Sequence, residues 1–194
     1  MCRAVLYSFL ALAGLLSEAG ALPPLRIEDS ANEDQCVAYY QTGNEFDLQH
    51  LLDTTWYVVW LWPPSPRYKN HCEKVTFHRL NYHVITRMFM GCNVSFTPDD
   101  LVIQSVYKNI AGHISVATYY GEDEVKTLFR SCENMSKYIF LRINSIYVLG
   151  INCSAGARGV LLTSYLPTYE QAKRVVEDIE LMIGRDGGPD CRLQ

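Results

Sequence analysis

The sequence lacks the short motifs that identify common classes of enzyme. It contains no Gly-x-Ser-x-Gly, no His-Glu-x-x-His and no glycine-rich loop of the kind that cradles phosphate. It also lacks Cys-x-x-Cys pairs, and none of its histidines form a pair with metal-ligand spacing beside a carboxylate. We therefore predict that the protein is not an enzyme and that it holds no metal, haem or other cofactor.

Long hydrophobic runs are also missing. Residues 4–16 (AVLYSFLALAGLL) are uncharged and mostly apolar, which suits the core of a signal peptide but is too short to span a bilayer. Small residues at 19–21 favour cleavage after Ala21, so residues 1–21 are predicted to be a signal peptide. No later run approaches the length of a membrane span, so we expect a secreted, extracellular protein with no integral membrane segment.

The sequence has few positive charges, with 17 lysines and arginines against 21 acidic residues. A net charge of −4 gives the protein no electrostatic reason to bind nucleic acid or anionic lipid surfaces. Residues 22–35 are polar, acidic and free of periodicity, and are predicted to form a flexible N-terminal arm. Residues 36–194 are long enough for a single domain with its own core.

No cysteine is left without a possible disulfide partner once cleavage of the signal peptide has removed Cys2. The six that remain predict three disulfide bonds, for which sequence alone allows fifteen pairings; they are Cys36, Cys72, Cys92, Cys132, Cys153 and Cys191. Asn93, Asn134 and Asn152 each begin an Asn-x-Ser sequon. In a chain that enters the secretory pathway, these sequons predict a glycoprotein.

Short strand-like runs fill the middle of the chain. Turn residues separate nine of them, at 54–61, 72–80, 83–96, 101–108, 113–120, 125–132, 137–143, 146–153 and 159–165. Many short strands at even spacing predict an all-β antiparallel barrel or sandwich. One amphipathic helix follows, with Thr168 as its cap, a stripe of apolar residues on one face, and Gly184 at its end.

Three segments of this pattern resemble the lipocalin family. Residues 52–57 (LDTTWY) are similar to the motif that opens the first strand, although Thr54 stands where the family usually has glycine. Residues 143–148 (INSIYV) are similar to the second motif. Residues 160–167 (VLLTSYLP) are similar to the last strand, with Ser164 in place of the usual arginine. The likeness extends over residues 36–191, and it is greatest to the arthropod bilin-binding and apolipoprotein D-like type.

The resemblance implies an eight-stranded antiparallel up-and-down barrel with one C-terminal α-helix packed on its wall. One of the nine runs is therefore misread or forms an extra strand. By position in that subgroup, the resemblance also implies the pairs Cys36–Cys153 and Cys72–Cys191, which leaves Cys92–Cys132.

The resemblance and the alternation of the strands together suggest residues that line a barrel cavity. The candidates are Trp56, Val58, Trp60, Val75, Phe77, Met88, Met90, Val116, Phe129, Tyr138 and Phe140. A barrel of eight strands is just wide enough for one small ligand. The expected function is therefore the transport, storage or scavenging of a small hydrophobic molecule, such as a lipid, sterol, retinoid or bilin.

An alternative class of function is a secreted protein-interaction or inhibitor module with no physiological small ligand. It depends on the proline-rich loop that begins at Trp62 and includes Tyr68, because an exposed aromatic tip suits contact with a protein receptor or partner. The same loop could instead be a lid at the mouth of the barrel. The sequence does not specify the ligand or the oligomeric state.

Overall fold

The computed structural model describes residues 32–66, 69–108, 112–121 and 123–193. The predicted signal peptide and residues 22–31 of the predicted arm lie outside these ranges. The arm was predicted to reach residue 35, but helix α1 (Glu33–Tyr40) already begins within it. The physical reason is a capping box, in which the side chains of Asn32 and Gln35 each accept a hydrogen bond from the other residue's backbone N–H.

Eight antiparallel strands close into a barrel. They are β1 (Thr55–Trp62), β2 (Lys74–Arg79), β3 (Val102–Lys108), β4 (Ile114–Tyr120), β5 (Val125–Ser131), β6 (Asn134–Arg142), β7 (Tyr147–Asn152) and β8 (Arg158–Thr163). Each strand from β2 to β7 pairs with the next, and β1 pairs with both β8 and β2. The predicted eight-stranded up-and-down barrel is confirmed. A further strand of two residues, β9 (Gly188–Pro189), pairs with the second half of β1.

The run at residues 83–96 was wrongly predicted to be a strand. Its first part belongs to helix α2 (Tyr82–Met88), which Asn81 caps by accepting a hydrogen bond from the N–H of Val84. Ile85 and Phe89 are four residues apart, so both point from one face of the helix onto the outer wall of the barrel. Helical periodicity therefore prevails over the strand-like composition.

Helix α3 (Tyr169–Glu177) begins where the sequence predicted, with a capping box between Thr168 and Gln171. It ends earlier than predicted, because Ile179 takes an extended backbone conformation that turns its side chain into the core. A short 3₁₀ turn at Glu180–Met182 follows. No helix within the described ranges combines the length and the apolar character that crossing a membrane requires.

The core has two main layers separated by the barrel wall. The inner layer fills the closed end, where a 3₁₀ turn at Leu48–Leu51 plugs the barrel beneath Trp56. The outer layer lies between the wall and the helices α1 and α3. A smaller third cluster lies beneath α2. The helices therefore cover the outside of the barrel and leave its interior free to accommodate other groups.

Three disulfides fasten the connecting segments to the barrel: Cys36–Cys153, Cys72–Cys191 and Cys92–Cys132. These are the three pairs that the resemblance implied. The first joins α1 to the β7–β8 connection, and the second joins the β1–β2 connection to the segment after β9. The third joins the segment after α2 to the β5–β6 turn.

Candidate ligand-binding site

A cavity of about 670 Å³ occupies the open half of the barrel. It lies at the end where β1 leads to β2, β3 to β4, β5 to β6 and β7 to β8. It is lined by Val58, Leu61, Lys69, Glu73, Val75, Phe77, Ser105, Tyr107, Ser115, Val116, Ala117, Tyr119, Arg130, Tyr138, Phe140, Val160 and Leu162. Its volume falls in the range of pockets that bury most of a small organic ligand.

Aromatic rings form the floor of the cavity. The ring of Phe140 lies edge-on to Phe77 and to Tyr119, with centroids 6.4 Å and 5.2 Å away, and tilted against Tyr138 at 4.7 Å. The ring of Phe46, which lies just before the 3₁₀ turn at the closed end, stacks on Phe140 with a centroid distance of 5.4 Å. Edge-on and tilted ring contacts of this kind stabilise one another and produce a rigid, apolar surface.

Two of the floor residues are tyrosines whose phenols stay uncharged. Burial raises the pKa of Tyr119 to about 12, although a hydrogen bond with Ser105 opposes the rise. Burial also raises the pKa of Tyr138 well above its usual value, and the neighbouring Tyr119 adds to this. The floor therefore offers neutral hydroxyl groups and no negative charge at neutral pH.

Gly150 gives the ring of Tyr138 the space that it occupies. Gly150 lies opposite Phe140 across the β6–β7 ladder, and a Cβ atom built on it would lie 2.4 Å from the Tyr138 hydroxyl oxygen. We expect Gly150→Ala to push this ring into the cavity and to weaken binding of an apolar probe at least about tenfold. Fluorescence titration with N-phenyl-1-naphthylamine measures the loss. Unchanged affinity, with the fold intact by circular dichroism, would show that Tyr138 moves elsewhere.

Charged residues stand at the rim. The Nζ atom of Lys69 lies 2.5 Å from Glu73 Oε2 and 2.7 Å from Asp190 Oδ1, and both carboxylates are buried. Partial burial alone would lower the pKa of Lys69, but its hydrogen bonds to Asp190 and Glu73 outweigh this and raise it. The three charges tie the β1–β2 connection to the segment after β9, so this side of the rim has a fixed shape.

The structure brings six of the predicted candidates together at the cavity: Val58, Val75, Phe77, Val116, Tyr138 and Phe140. Trp56 lies deeper, in the inner core at the closed end, where its Nε1–H donates to the carbonyl oxygen of Leu51 at 3.1 Å. It therefore supports the floor without lining the cavity. The alternation of the strands identifies these positions because the wall of the barrel has one face inside and one outside.

Trp60 and Trp62 lie outside the barrel, in contrast to the prediction. A bulge between Val58 and Trp60 shifts the alternation of β1, so that Leu61 points inward in place of Trp60. Trp60 packs in the outer layer of the core, where the centroid of its ring lies 6.1 Å from that of Tyr169 on α3. Trp62 is 2% exposed, so it is neither an exposed tip nor a lid. Tyr68, the other predicted residue of the mouth loop, lies outside the described residues.

Three further candidates lie on the outer wall. Met88 is half-buried at the end of α2, and Met90 follows it and is 78% exposed. Both were assigned to the cavity because residues 83–96 were mistaken for a strand. Phe129 is on β5, but it points outward, where its ring lies 4.0 Å from that of Phe89. Its neighbour Leu128 is the residue that faces the inner core.

Sequence reasoning missed the polar part of the cavity. Ser105, Tyr107 and Ser115 alternate with outward-facing residues on β3 and β4, and this alternation could have identified them. Lys69 and Glu73 carry no such signal, because they lie in a connection between strands.

The three sequons differ in exposure. Asn93 and Asn134 are exposed. Asn152 is half-buried, and its side-chain oxygen accepts hydrogen bonds from the N–H and the hydroxyl of Ser154. Among the described residues, no group of three or more histidine, cysteine or acidic side chains is arranged to hold a metal ion.

An up-and-down barrel of eight strands, plugged at one end, open at the other and flanked by a late helix, has the lipocalin fold. This assignment rests on the strand pairing of the chain itself. No protein-family model matches the sequence. No curated protein matches it either.

The solved structures that are similar to the chain include one from cockroaches and one from lobster. One is Per a 4, described as a major allergen from cockroaches, with 13% sequence identity, a TM-score of 0.43, and coverage of 75% of this chain and 88% of that one. The other is lobster apocrustacyanin A1, with 10% identity, a TM-score of 0.44, and coverage of 86% of this chain and 88% of that one.

Proposed function

We propose that the protein is a carrier that binds one small hydrophobic molecule in the barrel cavity for transport, storage or scavenging. The observation that supports this best is the cavity itself, because about 670 Å³ of space lies above an uncharged aromatic floor. Natural cores fill their interiors with side chains, so a space of this size is typical of a binding site. Removal of apolar ligand surface from water, at about 25 cal/mol per Å², would supply the affinity.

We further propose that the chain is secreted and glycosylated. The predicted signal peptide supports secretion, and three disulfides suit an oxidising compartment. The exposure of Asn93 and Asn134 suits the attachment of a glycan, whereas Asn152 is half-buried and suits it less well. Organic extraction of protein secreted from eukaryotic cells, followed by mass spectrometry, would identify the ligand class.

Filling the cavity should weaken ligand binding without unfolding the protein. Ala117 lines the cavity from β4, and its small side chain borders open space. We expect Ala117→Trp to weaken binding of N-phenyl-1-naphthylamine at least about tenfold, because the indole would occupy the volume that the probe needs. The rise in probe fluorescence on binding, followed in a titration, measures the change.

Met90→Trp provides the matched control, because it adds the same indole at an exposed position on the outer wall. We expect this variant to bind the probe like the wild type. If Ala117→Trp binds equally well, or if the wild type binds no probe at all, the carrier function is refuted. The protein-interaction alternative gains no support from Trp62, because that side chain is buried and offers no aromatic anchor.

A further inference from the structure

The barrel wall has a seam between β4 and β5. These strands pair over three residues only, from Thr118↔Phe129 to Tyr120↔Thr127. In contrast, β4 pairs with β3 along its whole length, and β5 pairs with β6 as far as Ser131. Within the described ranges, residues 114–117 of β4 therefore have no partner on β5.

A bulge and a disulfide accompany the seam. The ladder between β5 and β6 shifts register between Phe129 and Ser131, which places the bulge at Arg130. The adjoining turn carries Cys132, which is bonded to Cys92 of the segment after α2. The C-terminal end of β5 is therefore held by its pairing with β6 and by the disulfide to the segment after α2. Its pairing with β4 ends at Phe129.

The cavity extends into this seam. Ser115, Val116 and Ala117 line it from one side and Arg130 from the other. Val116 alternates with inward-facing residues and is 56% exposed, yet it still borders the cavity. Val116 lies beyond the last paired residues of β4 and β5, so its outward-pointing side chain borders the cavity at the place where these two strands no longer meet. We call this interruption of the wall the side opening, bounded by residues 114–117 and Arg130.

The charges around the cavity are not equivalent. Lys69 already pairs with two carboxylates at hydrogen-bonding distance, so its ammonium is not free to pair with an anionic ligand. Arg130 is exposed, and none of the salt bridges among the described residues involves it. A guanidinium at the edge of an apolar cavity suits a carboxylate, because it offers two parallel N–H donors.

We propose, on the basis of the carrier function above, that the ligand is a long-chain organic acid. Its hydrocarbon chain lies on the aromatic floor, and its carboxylate leaves the barrel through the side opening and pairs with Arg130. Val116 and Ile114, which are 56% and 65% exposed, contact the methylene groups next to the carboxylate. This arrangement buries the chain while it keeps the charged group in water, and so avoids the cost of burying a charge.

Two probes of equal chain length test this proposal: hexadecanoic acid and hexadecan-1-ol, each displacing N-phenyl-1-naphthylamine at neutral pH. Arg130→Gln is expected to weaken binding of the acid by about tenfold and to leave the alcohol within about twofold. Arg142→Gln is the matched control, because Arg142 is exposed but lies at the closed end of the barrel, where it contacts His50. We expect this control to bind both probes like the wild type.

A second pair of variants tests the position of the carboxylate by adding charge. Val116→Lys should strengthen binding of the acid relative to the alcohol by about threefold, because the new ammonium lies beside the side opening, whereas loss of the valine contact affects both probes alike. Met90→Lys adds the same charge at another exposed position that does not line the cavity. It should leave both probes unchanged.

Loss of acid binding in Arg130→Gln, together with a gain of acid over alcohol binding in Val116→Lys, would support the proposal. It would be overturned if wild type and Arg130→Gln bound both probes equally, and the carrier function would still stand. If neither probe displaced the fluorophore from the wild type, the carrier function itself would fail. A wild-type dimer that Val116→Lys dissociates would instead assign the seam to a subunit interface, which also overturns the proposal.

Discussion

Replacing Cys36 and Cys153 together by alanine is expected to lower the free energy of unfolding by about 5 kcal/mol. The two residues are 117 positions apart, so their bond removes a large share of the freedom of the unfolded chain. Both sulfurs are buried, at 0% and 2% exposure of their residues, so alanine introduces no buried polar group. Urea denaturation followed by circular dichroism measures the loss.

The Cys92–Cys132 bond is the internal control for this prediction. It closes a loop of 40 residues, so its removal by the same double substitution should cost about 1 kcal/mol less. An equal or larger loss from Cys92–Cys132 would contradict the chain-entropy argument. It would mean that the third cluster, beneath α2, depends on the Cys92–Cys132 bond more strongly than α1 depends on the Cys36–Cys153 bond.

Trp62→Ala is expected to lower the free energy of unfolding by about 3 to 5 kcal/mol while leaving ligand affinity within about twofold. The side chain is enclosed by the outer core, where a Cβ atom built on Gly187 would lie 2.4 Å from the indole ring. Alanine would leave a cavity there that rigid neighbours on the barrel wall cannot fill. Thermal unfolding measures the stability, and probe titration well below the unfolding temperature measures the affinity.

Trp62→Phe is the matched variant, because it keeps an aromatic ring in the same space and should recover most of the lost stability. The opposite pattern would be a small stability change in Trp62→Ala together with a large loss of affinity. That result would make Trp62 part of a lid over the cavity, as the proline-rich sequence around it first suggested, and would contradict its position in the outer core.

Much of the fold could be predicted because strand alternation and the amphipathic helix are local signals. Eight of the nine predicted runs correspond to strands, and the capping Thr168 begins α3 as expected. The ninth run contains α2, whose Ile85 and Phe89 pack on the barrel wall. Because periodicity alone does not separate a short apolar strand from a short buried helix, the sequence could not settle this case.

The site was harder to predict than the fold, since its residues depend on register. A single bulge in β1 turns Trp60 to the outside of the barrel and Leu61 to the inside. Nothing in the local composition indicates this bulge. The position of Arg130 beside the cavity depends on where the β4–β5 ladder stops, which is a property of strands distant in sequence. Alternation found Phe77, Tyr138 and Phe140 of the floor, but it found neither Tyr119 nor the charged rim.

The short strand β9 has a consequence for how the chain is made. β2 covers the edge of β1 only at residues 55–57, and β9 covers residues 60 and 61. A nascent chain emerging from the ribosome therefore completes all eight strands before it can protect this stretch of edge. Until residues 188–191 arrive, β1 presents an open edge on which strands of neighbouring chains can add. The segment that completes the pairing of β1 is thus also the one that protects this edge from aggregation during synthesis.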